Sequence, residues 1–326
     1  MTAPLNGKLV TVFGGSGFVG RYVVRAFAQA GWRVRAACRR PDLAGHLQPY
    51  GAVGQIQAVQ ANLRPEHRWS VDRAVHGADA VVNLVGILHA SGHQTFEAVQ
   101  AEGPGIVAEA ARAAGIGAVV QVSAIGADAE SSSVYARSKA AGEAAVLAAV
   151  PGAVILRPSI VFGPEDDFFN RFAGMARLSP VLPLIGGGET RFQPVYVGDV
   201  AAAAFTAATG GAKPGTVYEL GGPEVKTFRA LMEEMLEVVG RRRILLPIPF
   251  GLARLQAKVL QLLPSPLLTE DQVEVLKVDN VVSEAAIRDG RTLSGLGIEA
   301  RTLASILPSY LWRFRQSGQF DTRRTA

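Results

Sequence analysis

Cysteine is almost absent from this chain: of 326 residues only Cys38 carries a thiol. One thiol excludes an internal disulfide framework and a zinc site built from cysteines, and no metal site is expected. Such usage suits a chain kept in a reducing compartment. No apolar run reaches the length of about eighteen residues that a membrane-crossing helix needs. Gly (36) and Pro (18) follow no period, so a collagen-like repeat is excluded. Met1 to Lys8 lack the charged start and apolar stretch of a signal peptide, so the mature chain is expected to begin at or near Met1, on the side where it was made.

What is present is enough to fold. Hydrophobic residues make up 48% of the chain and charged residues 19%, with a mean hydropathy of +0.20. At about 150 residues per domain, the length fits two domains or one large α/β domain with an appendage. The net charge of +5 is uneven. Residues 1–225 are close to neutral, whereas Arg241, Arg242, Arg243, Arg254 and Lys258 follow one another with no acidic residue up to Thr269.

The first 160 residues alternate apolar runs with helix-period segments. Strands are expected at Lys8–Phe13, Trp32–Cys38, Ala80–Val85, Ala118–Ser123 and Ala153–Leu156, with helices at Phe18–Ala30 and around 96–114 and 135–149. Strands apolar throughout, separated by helices, imply a parallel sheet covered on both faces. The fold class is therefore α/β: a Rossmann-type doubly wound parallel sheet with a smaller, mainly helical C-terminal lobe. We place the nucleotide-binding domain at 1–225 and the basic lobe at 226–326, opening with an amphipathic helix at Thr227–Val239. The segments Pro180–Gly188 and Gly221–Pro223 read as turn-rich.

Chemistry concentrates in four places. Gly14, Gly17 and Gly20 sit between the first strand and the first helix, with Ser16, Phe18 and Val19 among them. A turn of this spacing brings backbone N–H groups and a helix N-terminus against a pyrophosphate. The second strand ends in Arg39-Arg40, where NAD binders usually place a carboxylate for the ribose hydroxyls. Guanidinium groups suit a 2′-phosphate, which favours NADP(H); the alternative is two solvated arginines on a surface loop. Ser123 ends a strand. Tyr135 and Lys139, four apart, share one helical face, where the cation can bring the phenol into working range.

Together these segments resemble the short-chain dehydrogenase/reductase superfamily in its extended or atypical branch. The resemblance is carried by Gly14–Gly20, Asn83-Leu84-Val85-Gly86, Ser123, Tyr135–Glu143, Arg157–Pro164 and Pro194–Val200. Gly17–Val24, Ser131–Tyr135, Phe162–Phe168, Gln193–Val197, Leu245–Phe250, Thr269–Val273 and Leu296–Ile298 are, within it, similar to the NADPH-binding accessory subunits of respiratory complex I. This resemblance implies tightly held NADPH, contacts from Asn62, Leu63, Leu84, Val85, Gly86 and Pro158, and a place among complex I subunits near the quinone-reducing region. Arg39 falls where these subunits have an arginine suited to the 2′-phosphate. Asn62-Leu63 departs from the Asp-Leu of many extended members. With no presequence, the resemblance further implies a bacterial form, peripheral on the cytoplasmic face of the inner membrane.

The basic stretch 241–263 leads into a helix expected from about Phe250. Arg254, Lys258 and Gln261 share one face, with Leu252, Leu255, Val259, Leu262 and Leu263 largely opposite. It reads as a surface for lipid or a membrane-arm subunit, or as an ordinary helix with its apolar side in a core. Aromatic interleaving is lacking, so no nucleic-acid partner is expected. Three functions remain open: an NADPH-binding subunit without turnover, a soluble NADP-dependent reductase or epimerase using Ser123, Tyr135 and Lys139, and an NADP(H)-reading regulator.

Overall fold

The computed structural model describes residues 4–261, 266 and 268–316. Leu262 and Leu263 of the basic stretch, Met1 and residues 317–326 lie outside the described residues. Apolar β-branched runs and Ala-rich helices alternate from the start. They form β1 (Leu9–Phe13), α1 (Phe18–Gln29), β2 (Arg33–Cys38), β3 (Ile56–Gln60), α2 (Arg68–Val75), β4 (Ala80–Asn83), α3 (Gly103–Ala113), β5 (Ala118–Val122), α4 (Val134–Ala149) and β6 (Val154–Pro158). Next come β7 (Val161–Phe162), α5 (Phe168–Leu178), β8 (Val181–Ile185), β9 (Arg191–Phe192), β10 (Val195–Tyr196), α6 (Val197–Ala208) and β11 (Val217–Leu220). The chain continues through β12 (Lys226–Thr227), α7 (Phe228–Val238), β13 (Ile244–Ile248), α8 (Phe250–Leu260), α9 (Glu270–Val275), α10 (Glu284–Arg288) and α11 (Leu303–Leu311).

Two compact units share this chain. The first holds residues up to Pro158, Val197–Leu220 and Ser283–Glu299; the second holds Ser159–Tyr196, Gly221–Val282 and Ala300 onward. The single boundary expected at 225/226 is therefore replaced by interleaved segments. The physical reason lies in β11, which pairs with β6 and returns the chain to the first unit's sheet after it has entered the second.

The first unit is a seven-stranded sheet in the order β11-β6-β5-β4-β1-β2-β3, parallel throughout. Helices α1 and α6 pack together, with Phe27 and Phe205 in edge contact. Helices α2, α3 and α4 bury Val71, Val107 and Val146 with Val81, Val119 and Ile155 of the strands. Strand order reverses between β1 and β4, and a crevice outside the strand ends at such a point is where ligands bind. Strand β4 stops at Asn83, short of the expected Val85, because Asn83 Oδ1 accepts from Val85 N and turns the chain outward.

In the second unit α5, α7 and α11 enclose a core of Phe162, Phe169, Leu182, Phe228, Leu231, Met232 and Leu307. The segment expected to be turn-rich from Pro180 contains a strand: β8 pairs in parallel with β13. Pro183 and Pro247 are tolerated because, in a two-stranded sheet, each strand keeps a free edge. The turn follows at Gly186, Gly187 and Gly188, all at positive φ.

Candidate cofactor site

The site is built at the C-terminal ends of β1, β2, β4, β5 and β6, all within the first unit. The glycine turn after β1 is shaped by contact. Gly14 has φ +77°, and a methyl on it would press on the backbone of Leu84 and Val85. A methyl on Gly20 would overlap Gly14 O, so α1 closes directly onto the turn. Gly17 is the N-cap of α1, and no side chain caps it. Ser16, Phe18 and Val19 surround this helix start, whose free N–H groups suit an anion.

At the end of β2 the two arginines differ. Arg40 is held by Asp42 in an exposed ion pair at 2.6 Å. Arg39, also exposed, has no acidic partner among the described residues. Both line a cleft of about 480 Å³ with Ser16, Leu43 and His46. Cys38 lies beneath, its thiol pushed up by burial, with a hydrogen bond to Ser16 opposing. His46, whose Nδ1 lies 3.2 Å from Leu43 O, was not foreseen. It arrives through two short 3₁₀ turns (Pro41–Leu43 and Gly45–Tyr50) that no hydrophobic period announces.

Asn62 Oδ1 accepts from Arg64 N, which leaves its Nδ2 available as a donor. Leu63 is buried in the core beside α2 and α3. Leu84 N donates to Phe13 O, and Gly86 is exposed at the crevice. Ile125 N donates to Pro158 O at the end of β6.

Ser123, just past β5, is 5% exposed, and its Oγ finds no partner among the described residues. A buried hydroxyl left so keeps its hydrogen-bonding capacity for a ligand atom. On α4, started by the Ser133 cap, the Lys139 ammonium lies 5.8 Å from the centre of the Tyr135 ring. Phe96 meets the same ring edge-on at 6.0 Å. Burial lowers Lys139 to about 8, and Glu143 one turn on opposes that shift. Glu143 itself is tied to Arg157 of β6 through two hydrogen bonds of 2.9 and 2.6 Å. The ammonium therefore sits beside, not within, a satisfied ion pair.

Gln100 is a second residue that the sequence did not reveal. It lies in a π-helical turn, Glu97–Glu102, that runs into α3. Its Oε1 accepts from Ile87 N at 2.9 Å and its Nε2 donates to Ser138 Oγ at 3.0 Å. Gly86 faces both groups: a methyl there would stand 3.1 Å from Lys139 Nζ and 3.3 Å from Gln100 Oε1. The only available signal was a polar residue in an otherwise Ala-rich helical run.

A dinucleotide fits this donor set: an uncapped helix start for the pyrophosphate, unpaired Arg39 for a further phosphate, and Lys139 with the orphaned Ser123 Oγ toward the reacting end. The sequence pattern of the NAD dependent epimerase/dehydratase family matches residues 10–221. The chain belongs to this family. An Arabidopsis thaliana member, NADH dehydrogenase (ubiquinone) 1 alpha subcomplex subunit 9, mitochondrial, is 36% identical over 96% of this chain and 80% of its own length. The ceramide reductase of Caulobacter vibrioides is 37% identical over 60% of this chain and 59% of that protein. Among solved structures, an NADPH-dependent quinone oxidoreductase from Escherichia coli complexed with NADPH superposes with a TM-score of 0.71 at 20% identity. It covers 93% of this chain and 98% of its own. The Rossmann-type sheet and the likeness to complex I subunits expected from the sequence both hold for this epimerase/dehydratase family member.

Proposed function

We propose that the protein is an NADPH-holding accessory subunit of respiratory complex I, seated peripherally among subunits near the quinone-reducing region, without turnover of its own. In this reading Gly14–Gly20 cradle the pyrophosphate, Arg39 engages the 2′-phosphate, Asn62 reaches the adenine and Lys139 holds the nicotinamide ribose. Ser16, Phe18, Val19, Arg40, Leu63, Leu84, Val85, Gly86 and Pro158 complete the cofactor wall. The segment 241–263 is the face turned toward the membrane, on the cytoplasmic side in a bacterial cell. The observation that carries the reading is a likeness that extends through the second unit as well as the sheet, over 96% of the chain. The nucleotide released on heat denaturation tests the cofactor: NADPH is expected, and NAD would overturn the role of Arg39.

Two observations favour a second reading, an NADP-dependent carbonyl reductase. Ser123 Oγ is buried and unpartnered, as a hydroxyl awaiting a substrate oxygen would be, and the Lys139 ammonium lies beside the Tyr135 ring. Under it Tyr135 passes a proton to the carbonyl oxygen while Lys139 steadies the phenol. Consumption of NADPH with a carbonyl substrate, abolished by Tyr135→Phe, would favour this reading over the first.

A further inference from the structure

Helix α8 touches the rest of its unit with very little of its surface. Only Ala253 and Ala257 are buried, against Val273 and the partly buried Ile185, Ile248, Phe250 and Leu268. Its larger apolar side chains point away: Leu252, Leu255 and Val259 are 56%, 63% and 67% exposed. At 3.6 residues per turn these three fall within about 60° of arc, roughly opposite the two alanines. Arg254 and Lys258 flank that stripe on one side. This is neither a core helix, which would turn its leucines inward, nor an ordinary solvated one, which would expose polar residues.

The stripe continues upstream. In β13, joined to α8 through Pro249 alone, alternate residues Ile244 and Leu246 are exposed. Ile244 N bonds to Pro180 O, two residues beyond the fully exposed Leu178 at the end of α5. Arg241 and Arg243 stand beside this edge, their Nε groups fixed to Phe314 O and Ala176 O. Arg242 between them is exposed. Among the described residues neither Arg242 nor Lys258 has an acidic partner, and Arg254 meets only Glu270 at 3.4 Å.

We propose that this surface, resting on the membrane-facing orientation given above, docks directly on the headgroup region of an anionic lipid bilayer. In that arrangement Leu252, Leu255 and Val259 enter the acyl boundary, and Arg242, Arg254 and Lys258 reach lipid phosphates. Charge complementarity selects this occupant: residues 241–261 carry five cations and no acid. The exposed apolar anchors are Leu252, Leu255 and Val259, residue types that protein interfaces under-use for binding energy, and none is Trp or Tyr. Aliphatic side chains rimmed by Lys and Arg match a bilayer surface, where hydrocarbon takes the stripe and phosphate takes the charge.

Flotation of the purified full chain with vesicles tests this. The chain should float with equimolar phosphatidylcholine and phosphatidylglycerol, stay behind with phosphatidylcholine alone, and be released by added salt. Leu255→Asp with Val259→Asp should weaken binding by about tenfold or more. Arg242→Glu with Lys258→Glu should do the same. All four positions are exposed, and an unchanged thermal midpoint verifies folding. Failure to float with anionic vesicles, or undiminished binding by the folded Asp variant, overturns the proposal. If the chain fails to float yet co-purifies with the respiratory complex, the face docks on protein and the accessory-subunit reading stands.

Discussion

Arg39 and Arg40 are neighbours in sequence but not equivalents in electrostatics. Arg40 already has its carboxylate in Asp42, whereas Arg39 faces the cleft without one. Hydrogen bonds to charged groups are worth about 1.5–3 kcal/mol. Arg39→Ala is therefore expected to weaken NADPH binding by about tenfold to a hundredfold and to leave NADH binding almost unchanged, with a much smaller effect from Arg40→Ala. Fluorescence titration with both nucleotides measures this, and equal losses for the two would contradict it. Lys139 makes a different prediction. Burial lowers it from 10.5 to about 8, so at neutral pH the folded chain carries a charge that the unfolded chain holds more cheaply. The penalty is full below pH 8 and fades as pH rises toward 10.5. Lys139→Met should melt above the parent at pH 7 without nucleotide, and the gap should close in alkaline buffer. A lower midpoint at pH 7 would show the ammonium to be stabilising where it stands.

At the scale of elements, the π-helical turn before α3 is the device that brings Gln100 to both the β4 exit and α4. Gln100→Leu keeps the bulk and leaves Ile87 N and Ser138 Oγ without their partner, at a cost of about 1–3 kcal/mol. Both the denaturation midpoint and NADPH affinity should fall; unchanged affinity would separate the turn from the cofactor site. In the second unit Tyr310 of α11 donates to Asp166 Oδ2 at 2.6 Å, next to the start of α5. Burial raises the Asp166 carboxyl. Tyr310→Phe should cost about 1–3 kcal/mol in urea unfolding, and no loss would show that water replaces the phenol. The sequence made both regions partly legible: the helix expected at Thr227–Val239 is α7, and the one expected from about Phe250 is α8. Alternation of apolar runs located β1, α1, β2 and β5, and the Tyr135–Lys139 spacing placed both residues on α4. Strands β8 and β13 were hidden because prolines normally argue against a strand. Gln100 and His46 were hidden because their positions depend on a π turn and two 3₁₀ turns, whose periods differ from those of helix and strand.

Over the whole molecule, charge and cofactor site part company. The near-neutral residues 1–225 include every residue proposed for the dinucleotide site, and the selectivity proposed for it rests on Arg39. Five cations without an acid lie between Arg241 and Lys258 of the second unit, where they border exposed aliphatic side chains on α8 and β13. Gentle detergent extraction of native membranes, followed by native electrophoresis and identification of this chain in the bands, decides whether the protein is an accessory subunit. Co-migration with NADH:quinone oxidoreductase is expected, with NADPH recovered from the same band. Recovery of the chain only as a free protein that turns over NADPH with a carbonyl compound would contradict it.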